Sequence, residues 1–225
     1  MIQLDFLAVL SQWPALLRGA AFTLLLSAAA AVLGVGLGIA CGWARAWGPK
    51  PLAAVVGVYV EAVRNTPFIV QLFFVYFGLP SLGVKLSPEV ASVIAMVVNL
   101  GAYAAEIVRA GIVNTPKGQI EAARSLAMTE LQVFLRVVLP PALGRVWPAM
   151  VSQIVIVMLG SAVCGQISAQ ELSYAANLIQ SRNFRGFEAY IVATAIYLVL
   201  SIAVRQFLNW MGPRFIFGRL PQAGR

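Results

Sequence analysis

Residues 118–143 read GQIEAARSLAMTELQVFLRVVLPPAL, a charged and helix-prone stretch set into a chain that is otherwise close to oil. Gln119 to Met128 combines good helix formers with Glu121 in the first turn and Arg124 three residues on, both suited to a short helix. Leu126, Leu131, Phe134 and Leu135 add an apolar stripe, and Pro140 and Pro141 mark where an apolar helix restarts. Two readings follow from the pattern alone: an interfacial amphipathic helix lying on lipid, or a knob presented to a cytoplasmic partner. The rest of the chain decides between them.

Of 225 residues, 60% are hydrophobic and 11% charged, with a mean hydropathy of +0.86. Soluble domains carry about 25% charged residues, so this is an integral membrane protein. The apolar runs are far longer than the roughly ten-residue alternating strands of a barrel, and every amide in hydrocarbon needs an internal partner, so the spans are helices. The excess of 16 Lys and Arg over 8 Asp and Glu is scattered among those runs. It therefore serves membrane topology and not nucleic acid binding. Cys41 and Cys164 lie in or beside apolar segments, and with no His in the chain neither a disulfide framework nor a metal site is expected. Asp5 stands where a signal peptide would carry its basic region, so the first span is expected to be retained.

A helix crossing the bilayer needs about 20 apolar residues, and five stretches qualify. They cover residues 19–44, 51–82, 88–113, 137–165 and 188–210, and 117–139 forms the link between the third and fourth. Gly34, Gly36 and Gly38 in the first span are expected to allow close helix approach. Eleven cations flank one set of loops and four the other, with Arg64 left inside a span. The positive-inside rule then puts the N-terminus outside and the C-terminus in the cytoplasm, which makes the opening stretch cytoplasmic.

At this point the motifs resemble a known family. Glu121, Ala122 and Ala123, followed at the right spacing by Leu139 and Pro140, are similar to the coupling-helix signature of importer-type ABC transporter permeases. RNTPFIVQLFFVYFGLP at Arg64 to Pro80 and AYAAEIVRAGI at Ala102 to Ile112 resemble the polar amino acid branch of that family. The likeness implies an all-α permease with a cytoplasmic coupling helix, multi-pass in the bacterial inner membrane. No GxxxxGK[ST] motif is present, so ATP-Mg would be bound by a separate ATP-binding subunit, with no cofactor in this chain. It also implies a second permease, either the same chain or a sister chain, an extracellular or periplasmic amino acid binding protein, and surrounding lipid. Two departures stand out. Ala127 occupies the position of the family's glycine, so a shallower bend is expected there. Where many relatives carry Lys or Gln, then an acid, Thr, Ser and Leu, MLGSAV at Met158 to Val163 keeps only Ser161.

Polar groups at membrane depth default to function. Asn99, Tyr103 and Glu106, spaced by four and three, share one helix face that should line the path between two permeases. Glu106 has two possible partners, a substrate amine or Arg109 one turn on. Around Pro67 lie Glu61, Arg64, Asn65, Thr66 and Gln71; Arg64 reads as a structural or gate residue before a ligand, neutralised by Glu61. Ser152 and Gln153 are weaker candidates in the fourth span. The polar loop 166–188 is expected outside, with a short helix near residues 171–180. A secondary carrier or channel is the alternative reading, but it would need inverted repeats or proton-relay acids in several spans. An anchored structural protein would have no use for the polar stripe.

Overall fold

The computed structural model describes residues 4–216, and among them every regular element is helical. Eight helices carry the architecture: α1 (Trp13–Trp47), α2 (Lys50–Arg64), α3 (Phe68–Ser81), α4 (Pro88–Val113), α5 (Lys117–Ser125), α6 (Glu130–Ile167), α7 (Leu172–Asn183) and α8 (Gly186–Met211). α1, α4, α6 and α8 are each long and apolar enough to cross a membrane. The second expected span is different. It is a bent pair, α2 and α3, whose axes turn by 109° at Asn65 to Pro67. Pro67 disfavours helical geometry at Thr66 and has no amide hydrogen to continue the ladder, so the stretch expected as the span 51–82 is broken at that proline.

α1 and α4 form the centre of the molecule. On α1, Gly34, Gly38 and Gly42 recur every fourth residue and face Leu100, Ala104, Ala105 and Val108. A Cβ on Gly38 would collide with the Ala104 methyl group, and one on Gly34 would sit 2.9 Å from Leu100 Cβ. Gly36 meets nothing within 4 Å. The seam therefore runs through 34, 38 and 42 and not, as expected, through 34, 36 and 38, because one helix face repeats near every fourth residue. Ser87 caps α4, accepting from the Val90 amide at 3.4 Å, and Pro88 occupies its first turn.

The fourth span begins earlier than residue 137. α6 starts at Glu130 behind a capping box, in which Thr129 and Gln132 exchange side-chain and backbone hydrogen bonds. It then passes through a π-helical segment, Val133–Val138, before Leu139. Pro140 and Pro141 withdraw the two amides that would have bonded one turn back, and the widened turn absorbs the loss. Trp147 Nε1 donates to the Leu208 carbonyl at 3.1 Å, joining α6 to α8.

Candidate functional site

The break between α2 and α3 leaves carbonyls at the end of α2 without helical donors, in a region where each must find one. Thr66 Oγ1 donates to the Ala62 carbonyl at 2.8 Å, while Asn65 Nδ2 adds a second donor, at 2.8 Å, to the Glu61 carbonyl that already receives the Asn65 amide at 3.0 Å. The Val63 carbonyl, which a residue other than proline at 67 would have served, instead receives Gln71 Nε2 at 2.7 Å. The same nitrogen reaches the Thr66 carbonyl at 3.0 Å. With its nitrogen committed to acceptors, Gln71 can offer only Oε1 to its neighbour, and Asn99 Nδ2 donates to it at 3.0 Å. This fixes which way the Asn99 amide points.

A groove of about 440 Å³ opens beside this break, walled by Thr66, Pro67, Phe68, Asn99, Tyr103, Gln153 and the α6 residues Ile156, Val157 and Gly160. Three of the expected path residues, Asn99, Tyr103 and Gln153, thus converge on one space. Among the described residues, Asn99 Oδ1, the Tyr103 hydroxyl and the Gln153 side-chain amide carry no intramolecular hydrogen bond. Arg64 lies with its guanidinium 5.3 Å from the centre of the Tyr103 ring. It forms no ion pair with Glu61 among the described residues, contrary to the expected neutralisation. Both residues lie within α2, but the Arg64 side chain reaches across to the Tyr103 ring of α4 instead of back along its own helix.

Glu106 is on the expected helix but not among the groove's walls. It is held between Arg45 of α1, which donates to Oε1, and Arg109, whose Nη2 donates to Oε2 at 2.9 Å. The Arg109 pairing is legible in the sequence as an i, i+3 neighbour; Arg45, 61 residues away, reads there only as a topology charge. Arg145 ties α6 to the end of α4, donating to the Gly111 carbonyl at 3.0 Å and to Thr115 Oγ1 at 2.9 Å.

The Met158 to Val163 segment is a junction where α-helix gives way to a 3-10 turn, Ser161–Ile167. Met158 and Ser161 are fully buried, and Ser161 Oγ donates to the Met158 carbonyl at 2.7 Å. Only Gly160 of this segment reaches the groove.

A second candidate surface is the elbow between α5 and α6. α5 ends in a Schellman turn: the Met128 amide reaches the Ala123 carbonyl at 3.3 Å, and the Ala127 amide that of Arg124 at 2.9 Å. Ala127 takes the left-handed conformation, φ 55°, that a glycine would favour. The bend is therefore complete and not shallower. Arg124 spans it, with Nε and Nη2 donating to the two Glu130 oxygens at 2.8 and 2.9 Å. Ala123 is buried, whereas Glu121 and Ala122 are exposed. Leu126, Leu131 and Leu135 are 78%, 66% and 49% exposed, while Phe134 turns inward onto Trp43 and Trp47. Leu139 and Pro140 lie at the base of α6, half-buried.

The loop between α6 and α8 holds α7, slightly longer than its expected extent. Glu171 caps it, accepting from the Ser173 and Tyr174 amides at 2.9 and 2.7 Å, and from the Tyr197 hydroxyl. The carboxylate is fully buried; that burial pushes its pKa up, against the pull of these three donors. Thr23 accepts from the Leu172 amide at 3.2 Å, so α7 is pinned to α1 as well as α8. Neither Glu171 nor Thr23 is among the residues expected to matter, though an acid directly before a helical run is a cap signal.

A bundle of apolar helices with a broken span, a polar groove at the break and an exposed helical elbow defines a membrane permease subunit. Residues 34–217 match the family described as binding-protein-dependent transport system inner membrane component, and the chain belongs to it. Among its relatives, "Probable glutamine ABC transporter permease protein GlnM" of Bacillus subtilis (strain 168) is 36% identical over 85% of this chain and 89% of its own length. "L-cystine transport system permease protein TcyB" of the same strain is 36% identical over 84% and 82%. A solved structure, "Crystal structure of an amino acid ABC transporter with histidines", superposes with a TM-score of 0.83 at 34% identity, over 95% of this chain and 100% of that one. The fold is that of a type I ABC importer permease.

Proposed function

We propose that the chain is the transmembrane subunit of an ATP-driven importer that moves a polar amino acid across the bacterial inner membrane by alternating access. Its N-terminus lies outside and its C-terminus in the cytoplasm, in keeping with the eleven cations that flank one side against four on the other. The observation that carries the reading is the convergence of Asn99, Tyr103 and Gln153, with hydrogen-bonding groups uncommitted, on one groove at the broken span. Polar side chains left free at membrane depth are costly unless a solute uses them. A second permease, identical or a sister chain, completes the path. A separate subunit binds ATP-Mg and docks at the elbow through Glu121, Ala122 and the exposed leucines. The binding protein delivers cargo on the α7 side.

Reconstitution tests this. In proteoliposomes containing the permease, its ATPase and its binding protein, uptake of labelled amino acid is expected to require internal or external ATP according to orientation, and to stop when Asn99→Ala is introduced. Uptake that follows an ion gradient with no ATPase present would overturn the importer reading.

A further inference from the structure

The groove's charge says more about the cargo than its shape does. Glu106 is the acid on the path-lining face of α4, and an acid there would favour a cationic solute. Its two oxygens are already taken by two guanidinium groups, those of Arg45 and Arg109, so the cluster as a whole bears a net positive charge. Nothing is left on it to receive a substrate amine.

Arg64 is in the opposite condition. Its guanidinium sits over the face of Tyr103, which is a wall of the groove; Arg64 itself stands beside the walls, two residues before Thr66, and no carboxylate pairs with it among the described residues. Stacking on an aromatic face leaves a guanidinium's in-plane N–H groups available for hydrogen bonding, which suits a planar carboxylate. In the groove wall Asn99 Oδ1 is oriented by the Gln71 contact and has no donor of its own among the described residues. It is an acceptor waiting for an N–H. The two features are complementary to the two ends of an amino acid, and their sum is positive.

Building on the importer reading, we propose that Arg64 receives the cargo's carboxylate and Asn99 its ammonium, so that the groove takes net-neutral or acidic amino acids and discriminates against net-cationic ones. Arg45 and Arg109 reinforce the discrimination beyond the groove by presenting like charge to any cation. Polar positive walls of this kind reject the wrong sign as well as attract the right one.

The test uses the full chain in nanodiscs without ATPase or binding protein, so that neither selects the cargo. Equilibrium binding of radiolabelled L-glutamate, L-glutamine and L-arginine is measured at low salt. The wild type is expected to bind glutamate and glutamine at least about tenfold more tightly than arginine, the scale of one like-charge repulsion near a protein surface. Arg64→Gln should remove most of that ratio, Arg64→Lys should keep more of it, and Arg64→Glu should turn the preference toward arginine. Because all three cargoes carry the α-carboxylate, Arg64→Gln should weaken all three, and the loss of one positive charge beside the groove should also shrink the ratio; a purely structural role for Arg64 would lower all three affinities and leave the ratio unchanged. The proposal is overturned if arginine competes as well as glutamate on the wild type, a comparison that needs no variant. Absence of binding by all three at millimolar concentration, or a ratio unchanged in Arg64→Gln, overturns it equally. An importer with a cationic preference would still show ATP-dependent uptake, so loss of this inference and loss of the importer reading are distinct results.

Discussion

Pro67 has no amide hydrogen to give, and the Val63 carbonyl takes one from Gln71 instead. One side chain thus repairs the break and orients Asn99 in the groove wall. Gln71→Leu is close to isosteric but leaves the Val63 carbonyl and the Asn99 amide without their partner. It should cost about 1–3 kcal/mol, read as a lower unfolding midpoint in detergent, and should weaken solute binding even though residue 71 is not itself a groove wall. Ala127 is the other residue under local constraint. Held at φ 55°, it carries a Cβ penalty that glycine lacks. Ala127→Gly should therefore stabilise the elbow by roughly 1 kcal/mol, with uptake unchanged, if relief of that strain exceeds glycine's greater chain entropy. A lower midpoint would mean that the Arg124 to Glu130 pair already carries the turn.

At the scale of elements, the apolar runs make the four straight spans legible, since length and hydropathy are local properties. The bend between α2 and α3 is not legible that way, because mean hydropathy registers composition and is blind to an axis that turns at Thr66 and Pro67. Asn99, Tyr103 and Gln153 are legible as polar exceptions at membrane depth. That Glu106 is closed off by Arg45 is not, because no spacing rule links residues 61 apart on separate helices. The glycine seam is half legible: small residues are evident, but which of them face α4 requires the helical register. That register makes a paired prediction. Gly38→Val drives a side chain into Ala104 and its backbone, and should destabilise by about 1–3 kcal/mol or more by overpacking. Gly36→Val, two residues away in open space, should leave the thermal midpoint nearly unchanged. Equal effects at both positions would refute the 34, 38, 42 seam.

Across the whole molecule, the groove and the elbow lie on the same two helices, since α4 supplies Asn99 and Tyr103 and runs on into α5, while α6 supplies Gln153 and grows out of the elbow. As the proposed coupling lever, the elbow would act directly on the two helices that supply Asn99, Tyr103 and Gln153, the remaining wall being the break at Thr66 to Phe68, and the Arg145 contacts with Gly111 and Thr115 join the same two helices. Such a lever needs a handle that the isolated chain leaves uncovered. Leu126, Leu131 and Leu135 fit that need: they project from a turn locked by the Schellman bonds, the capping box and the Arg124 to Glu130 pair. Leu126 is 78% exposed, so Leu126→Asp should leave the permease's own midpoint within about 0.5 kcal/mol of wild type. In the proposed complex with an ATPase the same change would bury a charge at the contact, and should cut ATPase co-purification and ATP-driven uptake by about tenfold or more. Solute binding to the permease alone should stay intact, because the groove is not touched. Undiminished co-purification and uptake in Leu126→Asp would show that the ATPase grips the chain elsewhere.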